Sequence, residues 1–332
     1  GEEPLLDVAF PYVTGTRAGL FEGCLGVITP DGRSIIITSA LEETSARGSR
    51  AEVLTYRTAQ DRKDIATDLM KGFRKVGFNG QGIVHNNFLE VQRLAANAEL
   101  VDASKGLEAA RLIKDREEVE RVRKACHIAS RVADEIPSVL REGMKEYEAA
   151  AELEYRMTKR GASGTAFSTN ASFGASSAEP HHGAEDISLN EGDTALFDFG
   201  CKVEGYCSDI TRTFFFGEPR DWQKRMYQVV TEAQQAALRV IRAGVNGKDV
   251  DAAARAVIDA SEFKDLMVHS TGHGLGLSVH DGGRLAPNYD FPLKAGMVVT
   301  VEPGVYIRGK GGVRIEDDVL ITEDGYDMLT DA

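Results

Sequence analysis

An acidic hairpin in the second half of the chain constrains its fold more than any other feature. Two apolar-rich runs flank a turn at residues 202–205, with Asp198 before the turn and Asp209 after it. If the hairpin folds about its midpoint, Asp198 lies directly opposite Asp209 on one face. Cross-strand neighbours lie about 5 Å apart at Cβ, where like charges destabilise the pairing. The hairpin therefore needs a cation beside its two carboxylates.

A second hairpin closer to the C-terminus repeats this arrangement. Folding at the glycine-rich turn 308–312 brings Glu302 level with Glu316. Pro303 predicts a local bulge, because proline cannot donate a hydrogen bond to the strand ladder. Two hairpins that each bring acids together predict a pair of divalent metal ions between them.

The residue types at this predicted site also indicate which metals it would bind. Four carboxylates and the imidazole of His273 favour manganese or cobalt, and zinc can also bind such a set. Two ions roughly 3.5–4 Å apart can activate a bridging hydroxide and polarise a carbonyl group. A single acid or histidine is more often a surface or core residue, but five of the seven histidines also fall in two short loops near the hairpins. These five are His181, His182, His269, His273 and His280.

Composition excludes several other classes of function. The chain has 332 residues, of which 42% are hydrophobic and 27% charged, as expected for a soluble globular protein of one large or two ordinary domains. No apolar run approaches the roughly 18 residues of a membrane-spanning helix. A net charge of −13 argues against binding to nucleic acid or anionic membranes. Four cysteines without a CxxC motif predict no disulfide framework and a cytoplasmic location.

The first 113 residues read as a small α/β domain. A hairpin with an Asp-Gly turn is predicted over 26–38. A helix is then predicted near 61–76, a strand over 81–84 and another helix near 88–96. The charge-rich segment that begins at Lys114 predicts the start of a second domain.

Residues 114–332 predict an α+β domain with a curved antiparallel sheet backed by helices, because the strands pair through tight turns rather than helical crossovers. Long helices are predicted over 114–140 and 145–160. Helices near 221–243 and 248–261 are expected to cover the outer face of the sheet.

The motifs of this second domain resemble those of the pita-bread metallopeptidases, in the branch that holds Xaa-Pro dipeptidases (prolidases) and Xaa-Pro aminopeptidases (aminopeptidase P). The matching stretches are Asp-Phe-Gly at 198–200, Tyr-Cys-Ser-Asp-Ile-Thr-Arg-Thr-Phe at 206–214, His-Ser-Thr-Gly-His-Gly-Leu-Gly at 269–276, Val-His-Asp at 279–281, Val-Glu-Pro-Gly-Val-Tyr at 301–306 and Gly-Val-Arg-Ile-Glu-Asp at 312–317. The first 113 residues resemble more loosely a creatinase-type N-terminal domain whose first strand and helix are missing. The resemblance implies a homodimer.

The resemblance also implies a role for each metal-binding residue. Asp198 would bind one ion, and His273 with Glu302 would bind the other. Asp209 and Glu316 would bridge both ions or nearly so. Glu302 would in addition act as general base for the metal-bound hydroxide.

Further roles follow from the same resemblance. His181 would contact the substrate and stabilise the tetrahedral intermediate, and His280 would lie beside the scissile amide and the leaving proline nitrogen. His269 and Arg314 would line the pocket. His182 matches no family role and is expected to be an ordinary loop histidine.

The two activities of this branch differ in where the substrate pocket ends. A dipeptidase must capture the carboxylate of the proline, and an arginine is its natural bidentate partner. Arg284 resembles the arginine that some prolidases carry at this position, although Arg17, Arg47 or Arg50 of the N-terminal domain could also close the pocket. We expect hydrolysis of Xaa-Pro dipeptides, with Xaa-Pro aminopeptidase activity on longer peptides as the alternative.

Other readings carry less weight. A non-catalytic binding module or a creatinase-like amidinohydrolase of this fold would not require the metal ligands, and all five are present. Methionine aminopeptidases share the fold, but they usually lack the additional N-terminal domain and space their last two glutamates more widely.

Overall fold

A computed structural model describes residues 7–17 and 19–332 of the chain. The chain divides into two compact units, Gly1–Arg111 and Leu112–Ala332. In the part of the chain that the structure describes, every helix is too short or too polar to cross a lipid bilayer.

The first unit is an α/β domain with two small sheets. Strands β1 and β2 form the predicted antiparallel hairpin, and β3 adds to β2 in parallel. Strands β4 and β5 form a separate parallel pair. Its elements are α1 (Ala9–Thr14), β1 (Leu25–Ile28), β2 (Ser34–Ser39), α2 (Glu43–Arg47), β3 (Glu52–Tyr56), α3 (Ala59–Met70), β4 (Lys75–Phe78), α4 (His85–Leu94), β5 (Glu99–Asp102) and α5 (Ser104–Leu112).

Two predictions for this domain are wrong, one in where a helix ends and the other in the type of element. The helix expected over 61–76 ends at Met70, because Gly72 adopts a positive φ of 94° that stops the helix before β4. The strand expected over 81–84 is a turn instead. The amide groups of Gly82 and Ile83 both donate to the carbonyl of Asn79, which reverses the chain ahead of α4.

The second unit contains the other five helices that the structure describes. Helix α6 begins at the N-cap Asp115, whose side chain forms a reciprocal capping box with Glu118. It was expected to continue to about residue 140, but it ends at Ala133, and a short helix with Pro137 in its first turn follows. The helices are α6 (Arg116–Ala133), α7 (Ile136–Val139), α8 (Glu146–Lys159), α9 (Asp221–Val240) and α10 (Gly247–Asp259), with a 3-10 helix at Gly174–Ala178.

The strands of the second unit are antiparallel in every pairing that the structure describes. They are β6 (Gly164–Thr165), β7 (Asn170–Phe173), β8 (Thr194–Phe199), β9 (Cys201–Val203), β10 (Tyr206–Cys207), β11 (Ile210–Phe215), β12 (Gly272–His273), β13 (Arg284–Leu285), β14 (Val298–Val301), β15 (Gly304–Ile307), β16 (Gly311–Arg314), β17 (Asp317–Ile321) and β18 (Tyr326–Met328).

Two hydrophobic cores divide this unit into halves. Helices α6 and α8 pack on β7 and β8 around Phe173, Phe197 and Phe199. Helices α9 and α10 pack on a second set of strands, β13 to β17, around Val299 and Val305. An isolated bridge between Thr211 and Glu316 joins the two sets of strands. The expected α+β sheet backed by helices is therefore present, and the acidic residues lie where its halves meet.

Candidate metal centre

The first acidic hairpin pairs two residues away from the predicted register. Strands β8 and β11 align Asp198 with Thr211, not with Asp209 as expected. The reason is the turn, which consists of Glu204 and Gly205, both with positive φ (49° and 88°). Two such residues form the tight turn that matches the twist of a hairpin, and this turn fixes the register. A shift of two residues preserves the face of the sheet, and the Asp198 charge still helps to raise the pKa of Asp209.

The chain around Asp209 is held by close backbone packing. A Cβ on Gly200 would meet the carbonyl oxygen of Ser208 at 1.9 Å, so only glycine allows this approach. The Asp209 amide then donates to Oδ2 of Asp318 at 2.9 Å. These contacts fix the backbone from which the Asp209 carboxylate projects.

The second hairpin has the predicted register. Both its inner and outer strand pairs follow a single alignment, in which Glu302 is level with Glu316. The bulge expected at Pro303 is absent, because the proline removes a donor from the ladder without adding a residue. At the level of Glu302 and Glu316, the amides of the two strands bond to neighbouring segments instead of to each other. The Glu302 amide donates to the carbonyl of Thr271 at 2.8 Å, and the Glu316 amide donates to that of Thr211 at 3.2 Å.

His273 reaches the site from the short strand β12. Its amide donates to Oγ1 of Thr300 at 3.1 Å. A Cβ on the preceding Gly272 would meet the Thr300 carbonyl oxygen at 2.0 Å, so glycine is needed there as well. The His273 Nε2 lies 3.5 Å from Oδ2 of Asp209 and 3.5 Å from Oε1 of Glu302. One imidazole nitrogen therefore faces two of the predicted carboxylate ligands.

The five predicted ligands are not equally close to one another. Asp209, His273 and Glu316 each offer an atom to a group whose members all lie within 4.8 Å of one another. Glu302 lies beside this group, with its Oε1 3.5 Å from Nε2 of His273. Asp198 instead pairs through Oδ2 with Arg314 at 2.5 Å. Its Oδ1 is buried and has no hydrogen-bond partner among the described residues.

The electrostatics of this cluster favour bound cations. Burial first, and then Glu316 and Asp198, raise the pKa of Asp209 well above its ordinary value. Burial and neighbouring acids do the same for Glu316, and burial raises the pKa of Glu302 to about 7. Burial also lowers the pKa of His273 to about 3, so the imidazole is neutral and able to bind a metal. Buried acids, a neutral imidazole and the unpartnered Asp198 Oδ1 together fit divalent cations.

Arg314 is the cation that the protein itself places in the site. It is 3% exposed. Its Nε donates to Thr211 Oγ1 at 3.0 Å and its Nη1 to the Tyr306 hydroxyl at 2.8 Å, while Nη2 pairs with Asp198. The Tyr306 hydroxyl also lies 2.7 Å from Nε2 of His269. Arg314 and His269, both predicted to line the pocket, are thus linked through Tyr306.

The remaining predicted site residues surround this cluster. The rings of His273 and His280 are 4.2 Å apart between centroids. His181 is exposed and close enough to help lower the pKa values of both His269 and His280. Arg284 is exposed on β13, directly across from His273. Of the alternative arginines, Arg47 donates to Glu43 one helical turn before it at 2.9 Å.

Sequence reasoning missed several residues that hold the acids. Thr211 Oγ1 donates to Oε2 of Glu316 at 2.6 Å, and Thr300 Oγ1 donates to Oε1 of Glu302 at 3.3 Å. Each threonine is two residues from a predicted ligand, and alternate residues of a strand share a face. That spacing could have identified both. Asp318 has the same spacing from Glu316, but its contacts with the Asp209 amide and with Cys126 could not be predicted, because these partners are remote in sequence.

Known proteins resemble this chain over both of its domains. Residues 120–323 match metallopeptidase family M24, and residues 8–113 match the creatinase/prolidase N-terminal domain. The Xaa-Pro dipeptidase of Pyrococcus furiosus is 35% identical over 321 residues, which cover 96% of this chain and 90% of the relative. The prolidase structure from Pyrococcus horikoshii superposes with a TM-score of 0.91 at 33% identity, covering 98% of this chain and 92% of that one. The X-Pro aminopeptidase structure from Thermotoga maritima gives 0.90 at 33% identity, with the same coverage of 98% and 92%.

A two-domain fold with buried carboxylates around one neutral histidine defines a metal-dependent hydrolase of the pita-bread class, as the resemblance implied. The chain belongs to metallopeptidase family M24, and a creatinase/prolidase N-terminal domain precedes its peptidase domain. Peptidases of this family use divalent metals, and the cluster described above fits that requirement.

Proposed function

We propose that this chain is an Xaa-Pro dipeptidase that hydrolyses the peptide bond before a C-terminal proline. The observation that carries the proposal is the cluster of Asp209, His273 and Glu316 with Glu302 beside it, in a chain similar to Xaa-Pro dipeptidases over nearly its full length. The bond before proline is a tertiary amide without an N–H. A site that discriminates for proline must therefore accept the ring without requiring an amide proton.

The proposed ligands are all five predicted residues, Asp198, Asp209, His273, Glu302 and Glu316. Two divalent ions are proposed, with manganese or cobalt favoured over zinc because four of the five ligands are carboxylates. When bound, such ions would polarise the substrate carbonyl and lower the pKa of water. The buried Oδ1 of Asp198, which has no hydrogen-bond partner among the described residues, supports a second ion.

The proton transfers are assigned to residues around the cluster. Glu302 accepts a proton from the water that attacks the carbonyl carbon. The same proton then passes to the proline nitrogen as the C–N bond breaks, because an amine leaves more readily than an amide anion. His181 and His280 are the proposed donors that stabilise the carbonyl oxygen and the leaving group. Burial keeps His269 neutral by lowering its pKa to about 4, so it is proposed to line the pocket as an uncharged ring.

Arg284 supports a dipeptidase over an aminopeptidase. Its side chain is exposed on the strand opposite His273, so one end of the site carries an unburied positive charge. A guanidinium at that position would bind the carboxylate of a dipeptide, whereas a longer peptide has a neutral amide there. Arg314, in contrast, is buried and engaged with Asp198 and Tyr306, so its proposed role in the pocket is to orient these groups.

The first test is hydrolysis of Ala-Pro, Ala-Pro-Ala and Ala-Ala by chelator-treated protein, before and after addition of manganese, cobalt or zinc. We expect metal-restored cleavage of Ala-Pro, weak cleavage of Ala-Pro-Ala and none of Ala-Ala. Preference for the tripeptide would instead identify an Xaa-Pro aminopeptidase. Absence of cleavage with every metal would favour a non-catalytic module.

Replacing Arg284 tests the carboxylate contact. Arg284→Ala should raise the KM for Ala-Pro by about 10- to 100-fold, since a charge-assisted bidentate contact is worth roughly 1.5–3 kcal/mol. The KM for Ala-Pro amide, which has no carboxylate, should not change. Arg242→Ala, an exposed arginine of the same unit, is the matched control. Equal effects of Arg284→Ala on both substrates would contradict the assignment.

The remaining proposals concern the state of the protein. A homodimer is proposed from the resemblance alone. All four cysteines are free, which supports the proposed cytoplasmic location. The net charge of −13 supports the proposal that neither nucleic acid nor a membrane is a partner.

A further inference from the structure

Glu146 and His182 form a buried pair for which the proposed reaction has no use. Glu146 is fully buried near the start of α8, and the side chain of His182 is 6% exposed. Oε2 of Glu146 lies 2.8 Å from Nε2 of His182. His182 was expected to be an ordinary loop histidine, and this burial contradicts that expectation. A carboxylate is rarely buried so completely unless each of its oxygens is satisfied.

Glu146 accepts hydrogen bonds from both ends of one segment of the chain. Its Oε1 accepts from the Phe173 amide at 2.8 Å and from the Ser176 hydroxyl at 2.5 Å. Its Oε2 accepts from the Glu185 amide at 3.0 Å as well as facing His182. The segment 174–185, here called the His181 loop, is therefore anchored near both of its ends by the Glu146 carboxylate.

The middle of the His181 loop is held by a second set of contacts. The Pro180 carbonyl accepts long hydrogen bonds from Asn170 Nδ2 and Arg314 Nη1, both at 3.5 Å. Asn170 is the cross-strand partner of Asp198, and Arg314 is its ion-pair partner. The residue before His181 is thus tied to groups that touch a proposed metal ligand, and the residue after it is tied to Glu146. His181 lies between these two anchors and is itself exposed.

We propose that Glu146 and His182 are positioning residues that hold His181 in place to act on the substrate. This inference rests on the proposed role of His181 in the reaction. A donor must lie within a few tenths of an ångström of its productive position, and a displacement of about 1 Å can cost 100-fold in rate. An exposed histidine on a loop has that precision only if its neighbours are fixed, and the Glu146–His182 pair fixes the nearest one.

The first experiment is steady-state kinetics on Ala-Pro with manganese-loaded protein. His182→Ala should lower kcat by about 100-fold, with a smaller change in KM and an unchanged metal content. His182→Gln retains an N–H that can reach Glu146 and should recover much of that loss. His127→Ala, an exposed histidine on α6, is the matched control and should behave as the unaltered protein.

A double-mutant cycle separates positioning from a general loss of stability. If His182 acts through His181, adding His182→Ala to His181→Ala should cause almost no further loss of kcat. Independent, multiplicative losses would overturn the proposal. Amide hydrogen exchange gives a readout besides activity, because the Glu185 amide should lose protection in His182→Ala and keep it in His182→Gln.

The outcomes distinguish this proposal from the function on which it rests. Full activity of His181→Ala would reject the proposed role of His181 itself. Impaired His181→Ala together with normal His182→Ala would reject positioning alone. Should His182→Ala not fold, His182→Leu fills the space without a donor. Failure of both variants to fold, with a folded and fully active His182→Gln, would show a structural role only and overturn the proposal.

Discussion

Replacing Glu302 by glutamine is expected to lower kcat for Ala-Pro by at least about 10³-fold. The amide cannot accept the proton of the attacking water, and general-base catalysis alone contributes about 10²–10⁴-fold. The Glu302 carboxylate lies 3.5 Å from Nε2 of His273, so under the proposed mechanism it would serve both as a metal ligand and as the base. The measurement is kcat at saturating metal, with metal content determined on the same sample.

The control for this variant is Glu323→Gln, which changes an exposed glutamate of the same unit. It should retain normal turnover and normal metal content. Near-normal turnover of Glu302→Gln with metals bound would show that another group is the base. A loss of turnover that follows a loss of metal would assign Glu302 only as a ligand.

Removing the metals is expected to reverse the way in which stability depends on pH. Burial raises the pKa of Glu302 from 4.5 to about 7, and those of Asp209 and Glu316 move in the same direction. A carboxyl whose pKa is higher in the folded state stabilises the fold while protonated. That contribution is complete below about pH 4.5 and is lost as the pH rises through 7. For Glu302 alone it is on the order of 3 kcal/mol.

Chelator-treated protein should therefore have a free energy of unfolding that declines from pH 5 to pH 8. Metal-loaded protein should show the opposite trend, because protons compete with metals for the same carboxylates. The two curves are measured by denaturant unfolding at several pH values. Metal-free Glu302→Gln is the matched control, and its decline should be shallower because one titrating group is gone. Parallel curves for loaded and metal-free protein would contradict a metal site at these residues.

The parts of the site that could be predicted from the sequence depend on local rules. Alternation along a strand keeps a side chain on the same face when the register shifts by two residues, so the predicted face of Asp198 survives the error in its register. The register of Glu302 and Glu316 followed from the glycine-rich turn between them. The register of Asp198 did not, because Glu204 adopts the left-handed conformation that the glutamate at this position gave no reason to expect.

What the sequence could not predict depends on contacts between remote elements. The pairing of Arg314 with Asp198, and of Asp318 with the Asp209 amide, requires that two halves of the sheet meet at the Thr211–Glu316 bridge. No spacing rule relates these residues. The same limit applies to Glu146 and His182, whose contact joins a helix to a loop and leaves no periodic signal along the chain.

The separation of the second hairpin at Glu302 and Glu316 has a consequence for how this chain can change in length. Each of these two glutamates is held by a hydrogen bond from its amide to a neighbouring segment as well as by its own hairpin. Residues can therefore be added at the tip of the turn, between Ile307 and Gly311, without moving either carboxylate. One residue inserted between Val301 and Glu302 would instead turn Glu302 to the opposite face of the strand. The tip is accordingly the position at which evolution or an engineer can extend this hairpin while the chemistry beneath it is preserved.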